Sequence, residues 1–461
     1  MNKIMLFLAS IIAIATFATD AQALPLFARQ TGMECAACHF QHFPLLNGFG
    51  RAFKSTAYSM MGVGVQTRVE GERLSIPSTL NMAALTTFGY EKTNAAPAGT
   101  LAPSGTPGTN NDGNGTFFTP GHNGELSLFF GGRINDNAGF LTEIGLIGLA
   151  DQSSAKLPIL FEVVEGTRAG IVPFTTNGQG ASYGFEVLNT GANAVHQMSG
   201  VGGFNGAHSN ALSAQQYIGT ATAATGLAFV VNNSSYFINL TKYNQMGSGD
   251  LTGGANTTGS GSVMGAGTDS TYFRVAGIFD VAGWDAGAGI QSWSGSSMCM
   301  SDTVAGTCND APAVVTNTKA TAIDGQMQGE WKKMPVGIYA SYATAPASDA
   351  VINTYNPGTL TRSSFNISGE IGMLPGIATL GAAVRLAKSG VDEGRIAGGS
   401  ATGSNASDDA IMLTATYKLS QNMMATLSYT TNSGSYWTAG GNANTRAIGS
   451  KTTTINVFTL F

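Results

Sequence analysis

A two-residue alternation of apolar and polar side chains, arriving in pairs of runs, constrains this 461-residue chain more than any other feature. Phe365, Ile367, Gly369, Ile371 and Met373 alternate with Asn366, Ser368, Glu370 and Gly372. A Leu-Pro-Gly turn follows, and Ala378, Leu380, Ala382, Val384 and Leu386 then alternate with Thr379, Gly381, Ala383 and Arg385. The pattern recurs from Ile411 to Leu419 and, across Ser420-Gln421-Asn422, from Met423 to Tyr429. It recurs again from Ile323 to Trp331 and, across Lys332-Lys333, from Val336 to Ala340. Side chains of a strand point alternately to its two faces, so such runs read as antiparallel hairpins with one apolar face.

The intervals between hairpins are lopsided. Short turns alternate with long polar stretches at residues 92–121, 190–225, 246–270, 295–319, 345–361, 389–408 and 433–449. Outer-membrane barrels have this asymmetry, with short periplasmic turns and long outer loops. Only 11% of residues are charged, against roughly 25% in ordinary globular chains. A soluble sandwich or propeller does not need so little charge, nor loops concentrated at one end. Hydrophobic residues at 43% argue against disorder, and the mild net charge of −5 has no basic stripe suited to nucleic acid. The expected fold is therefore all-β: a transmembrane outer-membrane β-barrel of about 16 antiparallel strands, an even number being favoured by closure. The chain ends on an apolar strand at Phe461, with Phe458 and Leu460 on the face opposite Val457 and Phe461.

The N-terminal stretch has a different character. Lys3, the apolar run Ile4 to Phe17 and Ala21-Gln22-Ala23 read as a signal peptide. The expected organisation is a signal peptide at 1–23, a small α-helical segment at 24–69 and a porin-like barrel at 70–461. Within the middle segment stands Cys35-Ala36-Ala37-Cys38-His39. C-x-x-C-H is the attachment motif of a c-type haem: each thiol adds to one vinyl group and the adjacent His reaches the iron. One covalent haem c is expected, held by Cys35, Cys38 and His39, with His39 as metal ligand. A redox C-x-x-C would want a βαβ setting. Zinc would want four ligands in compatible spacing, and the distant pair Cys299 and Cys308 reads instead as a disulfide closing a polar loop.

After Pro44, a residue suited to a first helical turn, Leu45, Leu46, Phe49 and Phe53 fall at helical spacing. With Phe27, Phe40 and Phe43 they are candidates to cover the macrocycle. Arg29, Arg51 and Lys54 are candidates to pair with haem propionates or are ordinary solvated charges. The sixth iron position stays open: Met60 and Met61 are far enough along the chain to reach it, His42 is too near His39, and a five-coordinate iron is the further alternative. His122, His196 and His208 stand in Gly- and Asn-rich loops and read as solvated.

The run Pro25-Leu26-Phe27-Ala28-Arg29-Gln30-Thr31-Gly32, the haem motif, Pro44-Leu45-Leu46 and Phe49-Gly50-Arg51-Ala52-Phe53-Lys54 together resemble the N-terminal signature of the fused monohaem cytochrome c–porin family, the outer-membrane iron-oxidising cytochromes of Fe(II)-oxidising bacteria. The likeness covers about thirty residues and extends beyond the haem motif on both sides. It implies an oxidoreductase that takes one electron from extracellular Fe(II) and passes it to a periplasmic cytochrome or copper protein. Asp302, Asp310, Asp250, Asp408 and Asp409 are candidates to attract Fe(II), or serve solubility alone. Two other functions fit the same residues: a porin with a redox-sensing haem domain, and an outward electron conduit. No nucleotide-binding loop, metalloprotease helix or Ser/His/Asp set stands out.

Overall fold

The computed structural model describes residues 25–62, 68–72, 74–78, 80–94, 115–121, 123–146, 153–176, 178–192, 213–245, 269–300, 313–396, 399–438 and 450–461. Among them, no helix is long and apolar enough to cross a membrane. The crossing is made by strands, which close on themselves.

Sixteen staves form the barrel. They are β1 (Met82–Thr93), β2 (Thr116–Pro120 continued by Leu126–Asn135), β3 (Ala138–Gly145), β4 (Ser154–Lys156 continued by Ile159–Val164), β5 (Thr167–Thr176), β6 (Ala224–Asn232), β7 (Tyr236–Gln245) and β8 (Ser270–Val281). The ring continues with β9 (Trp284–Ser294), β10 (Ala320–Trp331), β11 (Met334–Ala345), β12 (Arg362–Leu374), β13 (Ala378–Asp392), β14 (Asn405–Ser407 continued by Asp409–Ser420), β15 (Met423–Ser433) and β16 (Lys451–Leu460). Each stave pairs antiparallel with the next, and β16 closes on β1 through the register Thr452↔Thr93 to Leu460↔Leu85. Closure leaves no strand edge unpaired, which a lipid environment demands. A separate two-stranded hairpin, Arg68–Gly71 with Leu74–Pro77, lies between the C-x-x-C-H segment and β1.

The alternation is what sorts the two faces. On β12, Phe365 and Ile367 are about 40% exposed on the outside, whereas Ser364, Asn366, Ser368 and Glu370 are buried in the lumen. Tyr342 stands opposite Phe365 on the outer face, and Trp331, Tyr417, Phe279 and Phe461 ring the short-turn end. Apolar band, aromatic girdle and polar interior are the marks of an outer-membrane barrel. The Lys332-Lys333 turn has φ of 51° and 66°, both in the left-handed region, as the tightest hairpin connection requires.

All the tight turns gather at one end, the periplasmic end in barrels of this class. There the lumen is plugged by the N-terminal segment: α1 (Pro25–Thr31), α2 (Cys35–Cys38) and α3 (Gly48–Ser55). Arg29 donates to the Met82 carbonyl at 2.5 Å, Gln30 meets Asn81, Arg51 pairs with Asp285, and the Cys35 thiol faces the Gln421 carbonyl at 2.9 Å. Phe43 stacks on Phe458, with ring centroids 5.0 Å apart. That contact accounts for the irregular alternation of the last strand: Phe458 and Leu460 face inward because they line the plug's seat, together with Leu85 and Met424.

A second filling enters from the other end. Residues 178–192 and 213–223, from the connection between β5 and β6, fold into the lumen. Arg274, fully buried, binds both Glu186 of this connection and Asp324 of the wall, while Thr190 donates to Asp324 at 2.7 Å. Tyr217 donates to Asp408 at 3.0 Å. From the polar stretch at 190–225 an outer loop beginning at residue 190 is expected. The inward turn starts earlier and carries buried Tyr183, Phe185 and Leu188.

Candidate functional site: a walled cavity at the C-x-x-C-H motif

Within the N-terminal segment, the motif forms the single turn α2, whose His39 backbone N–H returns to the Cys35 carbonyl at 2.9 Å. Helix α3 packs across it. Its N-cap is Asn47, whose side chain accepts from the Gly50 N–H at 2.9 Å, a strong start signal. Pro44 therefore does not open the helix, and Leu45 and Leu46 precede it. Leu46 instead bridges back to His39 as a short antiparallel pair. Gly50 is required where α3 crosses the motif: a Cβ there would stand 2.2 Å from the Cys38 carbonyl oxygen.

These elements and the barrel wall enclose a largely apolar cavity that opens at the motif. Cys35, Cys38 and His39 line it, as do Phe27, Phe43 and Phe53. Phe40 and Phe49 are not among its lining residues, and Phe49 is exposed. Leu141 and Lys156 come from the barrel, and Tyr183 from the infolded connection.

The residues fit a covalently bound haem on three counts. His39 Nδ1 lies 3.1 Å from the Leu45 carbonyl; with the proton on Nδ1, Nε2 is left as the ligating nitrogen, the arrangement that orients metal-bound imidazoles. Burial pushes the His39 pKa down to about 4, so the ring is neutral and its lone pair free. Burial and the neighbouring Cys35 push the Cys38 thiol up to about 11. A thiol so disinclined to ionise is a poor zinc ligand, since zinc binds thiolate. Among the described residues, no group of three or more His, Cys, Asp or Glu is placed to hold a metal ion. The third count is the wall itself, which is mostly aromatic and aliphatic.

Several sequence-predicted residues fall elsewhere. Met60 and Met61 do not line the cavity; Met60 lies toward a separate polar pocket beside Arg51 and Asp285. Met33 does line it. His42 cannot serve as a ligand, since Nδ1 faces the Phe43 carbonyl at 2.7 Å and Nε2 lies 2.8 Å from Glu370. Burial disfavours its charged form, but the Glu370 carboxylate overrides this and raises its pKa. Arg29 and Arg51 are committed to Met82 and Asp285, leaving Lys54 at the cavity. Lys54 is buried, which lowers its pKa to about 8 against the opposing pull of Glu186.

Asp408 is fully buried against Arg385, Tyr217 and Trp437, so it is a structural carboxylate and not an iron attractor. Asp409 accepts from the Ala387 N–H. Asp250, Asp302, Asp310, Cys308, His122, His196 and His208 lie outside the described residues, as does the signal peptide. Sequence reasoning missed Lys156, Tyr183 and Met33. For Lys156 the only available signal was a lone cation beside an apolar run in Ser154-Ala155-Lys156-Leu157-Pro158.

No protein-family model matches the chain, and no curated protein is significantly similar to it in sequence. Solved structures of outer-membrane proteins superpose on it at low identity. Pseudomonas putida OprB is 10% identical, covers 83% of this chain and 94% of its own, and gives a TM-score of 0.49. Salmonella typhi OmpF, solved with daunomycin, is 11% identical over 86% of this chain and 100% of its own, with a TM-score of 0.45. A loop-deletion form of Vibrio cholerae OmpT is 9% identical over 83% and 99%, with a TM-score of 0.43.

Proposed function

We propose that this outer-membrane barrel is a c-type cytochrome that takes one electron from extracellular Fe(II) and delivers it to a periplasmic cytochrome or copper protein. The observation that carries the reading is the position of the C-x-x-C-H cavity. It is walled partly by the motif's own segment and partly by the barrel, at the short-turn end of the lumen. Haem supplies the one-electron chemistry; the protein supplies placement and insulation. In that arrangement His39 presents its ligating nitrogen, Phe27, Phe43 and Phe53 exclude water, and Cys35 sits at the rim where a periplasmic acceptor approaches. The product Fe(III) leaves from the outer side.

A porin gated by a haem domain is the competing reading. The lumen weighs against it, since the described residues fill it both at the short-turn end and at the infolded connection. The test mixes oxidised, detergent-purified protein anaerobically with Fe(II) and follows the haem spectrum. Reduction in wild type, with no haem spectrum in Cys35→Ser/Cys38→Ser protein, is the expected result. A haem that Fe(II) leaves oxidised, in protein that passes solutes in liposomes, overturns the oxidase reading in favour of the porin.

A further inference from the structure

Two lysines from distant parts of the chain meet at the inner side of the cavity. Lys54 belongs to α3 of the N-terminal segment, and Lys156 to β4 of the barrel wall. Both are more than nine-tenths buried. Lys156 donates to the Tyr183 carbonyl at 3.0 Å and lies over the Tyr183 ring, 4.1 Å from its centroid. Lys54 has no hydrogen-bond partner among the described residues. The carboxylates nearby are engaged elsewhere. Glu34 is exposed at the rim beside Gln421, Glu186, which faces Lys54, binds Arg274 and the Leu188 N–H, and Glu143, near Tyr183, shares a hydrogen bond with Glu125. Two ammonium groups held together in an apolar cavity are costly unless anions join them.

We propose that Lys156 and Lys54 receive the two propionate carboxylates of the haem, one from the barrel and one from the segment, so that the cofactor ties the two together. This inference rests on the haem reading above and extends it to the barrel wall. The geometry of attachment supports it. Thioethers at Cys35 and Cys38 fix the vinyl side of the macrocycle near the Gln421 turn. Propionates are carried on the side of a porphyrin opposite its vinyl groups, a side that would face the lumen above the motif. Lys156 is there: it stands opposite Leu141 and Phe174, and Leu141 is five residues, about 16 Å of strand, above the turn residue Asp136. Lys54 lies one helical turn beyond Gly50, which touches Cys38, and lines the same cavity as Lys156.

Each lysine compensates a buried negative charge beside the iron. Its loss favours the ferric form, which carries one more positive charge than the ferrous, and the midpoint potential falls. The experiment uses full-length holoprotein in detergent. Covalent haem is counted by mass spectrometry and the potential read by spectroelectrochemistry in wild type, Lys156→Met, Lys156→Arg, Lys54→Met and Lys54→Arg. Expected are full haem loading throughout, a lowered potential in each Met variant and recovery in each Arg variant.

Wild-type potentials in both Met variants overturn the proposal. So does a Lys156→Arg potential as low as that of Lys156→Met, because then the Tyr183 contact and not the charge is what matters. Should Lys156→Met fail to fold, Lys54→Met and the two Arg variants still decide. A wild-type chain without thioether-bound haem overturns the haem reading itself, a result distinct from an unmoved potential.

Discussion

His42 and Glu370, 328 residues apart in the chain, meet at 2.8 Å with both side chains about 1% exposed. This buried pair fastens the loop after the haem motif to β12 of the barrel. Since Glu370 holds the His42 pKa above its ordinary value, the protonated pair contributes its full stabilisation below about pH 6.5, the unfolded value. That contribution fades as pH climbs through the raised folded value. Lys418 opposes the charged form but does not reverse the direction.

The first prediction follows: protease protection of the N-terminal segment is greatest in mild acid and declines on the alkaline side of His42's folded pKa. Glu370→Gln removes the pH dependence and weakens the seat by about 3 kcal/mol, the usual cost of breaking a buried pair. Limited proteolysis across pH, compared between wild type and the variant, checks it. A parallel decline in both assigns the effect to another group.

Phe458→Ala removes the stacked contact with Phe43 and part of the apolar seat. A buried Phe→Ala change costs about 3 kcal/mol. The barrel keeps its heat-modifiable mobility on gels, because β16 stays hydrogen-bonded to β1 and β15. The segment loosens, and the haem Soret band broadens or shifts. Unchanged spectra and protection would show that the seat does not depend on this ring.

Arg274→Met strands Glu186 and Asp324 in the lumen without their shared cation. The expected cost is about 3–5 kcal/mol, and it falls on the infolded connection more than on the wall. Solute flux in liposomes should rise while the barrel persists. A leak-free, wild-type-like variant would mean that Asn189 and Thr190 hold the connection without the ion pair.

Gly50→Leu places a side chain against the Cys38 carbonyl and the Leu46 side chain. Backbone cannot yield there without moving the motif turn, so α3 cannot pack and haem loading collapses to a small fraction of wild type. Ala already places its Cβ 2.2 Å from that oxygen and should show an intermediate loss. Mass spectrometry of both variants measures it, and full loading in Gly50→Leu would contradict the close approach.

The hairpins were readable in the sequence because each stave separates lipid from lumen, and the period-2 pattern records that partition residue by residue. Departures from the pattern carried as much information as the pattern itself. Phe458 and Leu460 break the expected polarity of the inner face because another part of the chain covers them. Cys35, Cys38 and His39 were singled out by spacing alone, and the structure gathers them around one cavity. Lys156 was not, since its meaning depends on a strand some 120 residues from the motif curling past it. Asp408 was read among loop carboxylates, whereas three side chains more than twenty residues away bury it. Residues 178–192 look polar and loop-like in sequence; that they fold inward depends on Arg274, nearly ninety residues further on.

Asn189 clasps Leu46 through two hydrogen bonds, 2.8 Å from the Leu46 N–H and 3.0 Å to its carbonyl. An inward-folded connection thus grips the segment from above, while the seat below is built from the final strand. The earliest exported part of the polypeptide can dock only after the last part has been made. The cylinder must therefore close before its plug can seat, and assembly runs from the wall inward.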